Sequence, residues 1–313
     1  MKVNGFEPMR RELDAIPPAG RVKATSQSRR RNKQGTFEAI VQDSAIYQGD
    51  ALAVLRTLPS ACMQSVITSP PYWGLRDYNV TNQIGLEQTL PEFIERLRSI
   101  FSEVRRVLRD DGVLWLNIGD GYTSGNRGWR APDKKNRARA METRPDTPEG
   151  LKPKDLMGVP WRVAFALQDD GWYLRADIIW NKPNAMPESV KDRPTRAHEY
   201  LFMLTKREKY HYDRQAILEL NGRNKRSVWD INTQAYAGAH FATFPYKLVE
   251  PCIRASTRAG DFVLDPFFGS GTAGVVASDL GRKYIGIELH PEYIELARQR
   301  LGLGCAPIVK AAA

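Results

Sequence analysis

The feature that most constrains this chain is a regular alternation, from residue 45 onward, of short apolar runs with helical segments. Residues 45–48, 65–68, 113–118, 174–180, 199–205, 262–264 and 284–287 read as strands. Most are too short to be buried helices, and turn residues such as Gly, Asp or Pro follow several of them. Pro91 opens the clearest helix. In it Ile94, Leu97, Ile100, Phe101, Val104 and Leu108 recur every three or four residues until Asp111-Gly112. Further helices are expected from Asp50 to about Leu58 and over 160–168, 244–255, 272–280 and 291–301. Strands alternating with helices imply an α/β fold, a mostly parallel, doubly wound sheet of Rossmann-like layout.

The 313 residues, 42% of them hydrophobic, suffice for one large domain with loop insertions. We expect a basic, mostly disordered arm over 1–40, the domain over 41–304 and a tail over 305–313. No apolar run is long enough for a transmembrane helix, and the N-terminus lacks a secretory apolar region. Cys62, Cys252 and Cys305 form no C-x-x-C pair, which suits a reducing cytoplasm and argues against a disulfide framework. The four histidines are scattered, so no metal is expected. The net charge of +10 points to a polyanionic partner. It is concentrated outside the expected strands and helices. Residues 1–40 hold nine Lys or Arg against four acids, and residues 122–154 hold nine against four. Seven more lie in 206–226. The aperiodic segments 121–155 and 206–240 are long for loops inside a domain, which marks them as functional or disordered.

Residues 261–272, DFVLDPFFGSGT, read as strand, glycine turn and helix start. Gly269 and Gly271 permit a tight turn and close approach to a ligand, at the strand end where open α/β sheets bind. The next strand ends in Glu288, placed to hydrogen-bond ribose hydroxyls. The turn lacks both G-x-G-x-x-G and a P-loop lysine, and Asp265 would repel phosphates while welcoming a cationic amine. That chemistry fits S-adenosyl-L-methionine.

Thr68-Ser69-Pro70-Pro71-Tyr72-Trp73 follows another buried strand. Pro70 and Pro71 stiffen the loop and remove two N–H donors, leaving the carbonyls of Ser69 and Pro70 as acceptors beside aromatic faces. This suits a flipped base whose amino group is held by hydrogen bonds. A proline-rich turn with core aromatics fits the same residues.

Together, S-P-P-Y and D-P-F-x-G-S-G-T closely resemble the DNA amino-methyltransferases that act on cytosine N4 or adenine N6. The catalytic motif comes first, as in the permuted β group, and the resemblance spans most of residues 45–302. It implies an S-adenosylmethionine-dependent methyltransferase fold, with Ser69, Pro70, Pro71 and Tyr72 catalytic. It implies a cofactor site of Asp50, Phe244, Lys247, Asp265, Phe267, Gly269, Ser270, Gly271, Thr272 and Glu288. The partner it implies is double-stranded DNA. Arg127, Arg130, Lys134, Lys135, Arg193, Arg223, Lys225 and Arg226 are candidate contacts, and 206–240 is a candidate target-recognition region. A homodimer follows from the resemblance alone. The block from Trp180 to Asn184, with Arg193, His198 and Glu199, also matches the family; these last three are read as structural or DNA-proximal. Ser rather than Asp before Pro-Pro-Tyr leans toward cytosine N4 over adenine N6. RNA or protein-glutamine methylation would use the same chemistry, but those relatives more often place the cofactor motif first.

Overall fold

A computed structural model describes residues 29–31, 37–39, 43–78, 80–124, 145–234, 244–303 and 309–310. The main sheet holds β3 (Ala45–Gln48), β4 (Met63–Thr68), β5 (Leu108–Ile118), β6 (Tyr173–Asn181), β7 (His198–Thr205), β8 (Val228–Asp230), β9 (Phe262–Asp265), β10 (Lys283–Glu288) and β11 (Val309–Lys310). Its spatial order is β11-β3-β10-β9-β4-β5-β7-β6-β8. β7 runs antiparallel to both β5 and β6, and every other pairing in this sheet is parallel. The doubly wound sheet therefore carries one reversed strand.

Helices cover both faces. Helices α1 (Ala51–Thr57), α2 (Leu90–Val107) and α3 (Val159–Asp169) pack on one, and α4 (Tyr246–Ser256), α5 (Thr272–Asp279) and α6 (Pro291–Arg300) on the other. β5 shows why its run is continuously apolar. Leu114, Leu116 and Ile118 enter the first core, while Val113 and Trp115 enter the second. α2 starts with a capping box, in which Thr89 accepts from the Glu92 N–H and Glu92 reaches back to the Thr89 N–H. Its stripe of Phe93, Leu97, Ile100, Phe101 and Val104 is buried.

Three expectations need correction. α2 ends at Val107 rather than Asp111, because Leu108 turns extended and pairs with Met63 of β4. Asp111-Gly112 therefore lies within β5, at a register shift. The irregular segment 206–240 contains a 3-10 turn at Gln215–Ile217 and the strand β8, held to β6 by backbone pairing and by buried Trp229. The expected tail supplies β11, which pairs with β3. Most of the expected arm lies outside the described residues, but β1 (Arg29–Arg31) and β2 (Phe37–Ala39) form a separate antiparallel pair. Among the described residues, no helix is long and apolar enough to cross a membrane.

Candidate active site

β4 and β9 are neighbours, with Ser65 opposite Val263 and Val66 opposite Leu264. The chain leaves them in opposite directions across the sheet, toward β5 and β10. Their carboxyl ends therefore form a topological switch point, where open α/β sheets bind ligands. Thr68 Oγ1 donates to Asp265 Oδ1 at 2.6 Å and ties the two ends together. A cavity of about 320 Å³ opens there, large enough for a small-molecule site. Ser69, Pro70, Pro71 and Tyr72 line one side, and Phe267, Gly269, Ser270, Thr272 and Glu288 the other. Asp50 and Phe244 also line it.

The glycine turn is shaped by packing. Gly271, at φ +79°, could not carry a Cβ, which would lie 2.9 Å from the Cβ of Ala297 on α6. Phe268 wedges beneath the turn. A Cβ at Gly286 would overlap its ring, and one at Gly274 would come within 2.6 Å. Glu288 Oε2 accepts the Gly269 N–H at 2.7 Å and Oε1 the His290 N–H at 2.8 Å. Burial raises the pKa of this carboxyl. A carboxylate offers about four lone-pair sites, so acceptor capacity remains for a ligand hydroxyl. Asp50 caps α1 by accepting the Ala53 N–H at 2.9 Å and lines the cavity beside that turn.

Three expected cofactor residues are not on the wall. Asp265 is 1% exposed and sits behind it, with Oδ1 accepting from Thr68 and from the Phe267 N–H at 3.0 Å. Its Oδ2 is buried without a hydrogen-bond partner, and burial raises its pKa to about 7. Gly271 is covered by α6. Lys247 is exposed in the first turn of α4; Pro245 caps that helix, leaving Phe244 before it and on the wall.

The opposite wall contains a polar network that sequence reasoning did not assemble. Tyr72 donates its hydroxyl to Glu199 Oε2 at 2.8 Å. Asn117 Nδ2 donates to the same oxygen at 3.2 Å, and Lys182 pairs with Glu199 Oε1. Lys182 Nζ also lies 4.2 Å from the ring centroid of Trp180. Burial and the Glu199 charge push the Tyr72 pKa well up, so the phenol stays protonated. Gly119 leaves room for the ring, since a Cβ there would meet Tyr72 Cε2 at 2.7 Å. Asn117, Trp180, Lys182 and Glu199 all line the cavity. The family-like block around Trp180 was the only sequence signal for them.

The basic candidates are dispersed. Arg193 pairs with Glu188 at 2.6 Å and stacks 3.8 Å from the Tyr122 ring centroid. Arg226 pairs with Glu219 at 3.1 Å, Lys225 lies 4.8 Å from the Trp229 ring centroid, and Arg223 is exposed. Arg127, Arg130, Lys134 and Lys135 lie outside the described residues. Among the described residues, no group of three or more His, Cys, Asp or Glu could hold a metal.

The glycine turn carries no lysine for a phosphate, and Glu288 on the wall beside it offers acceptors only. Glu288 offers acceptors to ribose hydroxyls, and the unpartnered Asp265 oxygen lies buried behind the turn. A ligand with a ribose and a cationic amino-acid end matches this set, as S-adenosyl-L-methionine does. Fold and site thus define an S-adenosylmethionine-dependent methyltransferase.

The DNA methylase family model for N6 and N4 enzymes matches residues 63–299, and the chain belongs to that family. It is 69% identical over 266 residues to the type II methyltransferase M.XycI of Xanthomonas campestris pv. cyanopsidis, covering 84% of this chain and 89% of that one. It is 67% identical over 262 residues to the type II methyltransferase M.Cfr9I of Citrobacter freundii, covering 82% and 87%. Among solved structures it resembles the cytosine-N4-specific PvuII DNA methyltransferase, with a TM-score of 0.64 and 26% identity over 83% of this chain and 86% of that one. It also resembles a Thermus thermophilus protein complexed with S-adenosyl-L-methionine, with a TM-score of 0.63 and 25% identity over 86% and 99%. This protein is an S-adenosylmethionine-dependent DNA amino-methyltransferase.

Proposed function

We propose that the enzyme methylates cytosine N4 in duplex DNA, as the modification partner of a type II restriction system. The observation that carries this reading is the placement of Ser69–Tyr72 and the glycine turn on facing sides of one cavity. Ser before Pro-Pro-Tyr and the likeness to a cytosine-N4-specific enzyme favour cytosine over adenine.

The amino nitrogen is a weak nucleophile because its lone pair is conjugated with the ring. Ser69 and the Pro70 carbonyl accept its two N–H bonds and draw the lone pair out of conjugation. Tyr72 stacks on the extruded base, and Glu199 fixes the plane of that ring. The bound cofactor supplies a methyl group on a cationic sulfur. Glu288 holds its ribose, Asp50 its adenine amine, and Phe244 and Phe267 its apolar surface. Catalysis then consists of alignment and electrostatics, without a covalent enzyme intermediate. Cys62 and Cys252 have no part in it, since burial raises both thiols.

Arg193, Arg223, Lys225 and Arg226 grip phosphates, together with residues 127, 130, 134 and 135. The segment bearing Arg223–Arg226 continues to Thr233 and Gln234 on the cavity wall, which supports 206–240 as the target-recognition region. We also propose a homodimer acting in the cytoplasm; light scattering of the purified protein tests the dimer. The base assignment is tested by incubating purified enzyme with duplex DNA and methyl-labelled cofactor. Label in N4-methylcytosine is expected. Label in N6-methyladenine would overturn the base, and unlabelled DNA would overturn the transfer.

A further inference from the structure

Arg300, the last residue of α6, reaches back thirty positions to the glycine turn. Its Nη1 donates to the Ser270 carbonyl at 2.7 Å, to Ser270 Oγ at 2.7 Å and to Thr272 Oγ1 at 3.1 Å. Ser270 and Thr272 line the cavity, yet they are only 4% and 5% exposed. Arg300 is half-buried and not on the wall. A guanidinium only donates, so both hydroxyl oxygens must accept from it. Their own protons are left to point elsewhere. The start of α5 adds the positive end of a helix at Thr272.

We infer that Arg300 is a positioning residue that turns Ser270 and Thr272 into paired hydroxyl donors for the carboxylate of the cofactor's amino-acid end. This rests on the cofactor assignment and goes beyond it. A carboxylate only accepts, so it matches two oriented hydroxyls. The positive charge behind them favours an anion on the cavity side. All three contacts come from the one Nη1, so a lysine ammonium, itself a three-proton donor, keeps part of this function, whereas a methionine keeps none of it.

The test compares two ligands on the full-length protein. S-adenosylhomocysteine carries the carboxylate, whereas 5′-methylthioadenosine has the same nucleoside without the amino-acid end. Calorimetry on wild type, Arg300→Lys and Arg300→Met is expected to show S-adenosylhomocysteine affinity falling about tenfold or more in Arg300→Met, with Arg300→Lys restoring part of the loss. Methylthioadenosine affinity should change less than about threefold, which also reports that the nucleoside site is folded. An equal loss for both ligands would reduce Arg300 to a structural brace, and no loss for either would remove it from the site; each result overturns the inference. Wild type binding neither ligand would instead overturn the cofactor assignment beneath it.

Discussion

Thr68 Oγ1 and Asp265 Oδ1, 197 residues apart in sequence, meet at 2.6 Å where β4 and β9 end side by side. One residue precedes the Ser69–Tyr72 loop, and the other precedes the glycine turn. A buried side-chain hydrogen bond therefore joins the two halves of the site, beyond the backbone pairing of β4 with β9.

Removing that hydroxyl should be felt in both halves. Thr68→Val leaves Asp265 with the Phe267 N–H as its remaining partner. Stability should fall by about 1–3 kcal/mol, the usual cost of stripping a partner from a buried polar group. Urea denaturation measures it. Combining Thr68→Val with Asp265→Asn should cost less than the sum of the two changes, and strict additivity would show that the residues do not couple.

Asp265 also predicts a pH dependence. Burial raises its folded pKa to about 7, above the value of about 3.9 in an unfolded chain. Between these values the folded protein holds a proton that the unfolded chain has released. This group's contribution to stability is thus most favourable below about pH 4 and declines as pH rises toward 7. Asp265→Asn keeps an oxygen for Thr68 but cannot ionise. Relative to wild type, the variant should gain stability as pH rises from about 4 to about 7. A constant difference in urea midpoints would contradict the raised pKa.

On the opposite wall, Tyr72→Ala should abolish turnover while sparing cofactor binding. Glu199→Ala keeps the ring but frees Tyr72, Asn117 and Lys182 from their common acceptor. Its kcat should fall by about a hundredfold, the scale of a small misplacement at a reacting centre. Cofactor affinity should stay near wild type. A kcat that did not change would deny Glu199 a role in holding Tyr72.

Glu288→Ala should act the other way, weakening the cofactor first. It removes the ribose acceptor and leaves the N–H groups of Gly269 and His290 without their carboxylate. Calorimetry should show weaker S-adenosylhomocysteine binding, and unchanged affinity would take Glu288 out of the site.

Much of this was legible locally. The period of α2 and the two-sided apolar runs of β4 and β5 announce a covered parallel sheet, and the two motifs name their own strand ends. Other features were not, because they depend on pairing. The strand Val228–Asp230 is three residues long and forms only against β6. Leu108 continues the helical spacing of α2 but is claimed by Met63 across the sheet. Asp265 reads as a cavity residue from its place before the turn, yet its contact with Thr68 draws it behind the wall. Glu199 gathers donors from three separate segments, and no linear spacing encodes that meeting.

The most direct measurement is nucleoside mass spectrometry on DNA from a methylation-deficient host expressing the chain, beside a host expressing Ser69→Ala/Tyr72→Ala. N4-methylcytosine in the wild-type sample alone is the expected result. Neither N4-methylcytosine nor N6-methyladenine, from soluble protein that binds its cofactor, would contradict the assignment of this cavity to DNA amino-methylation.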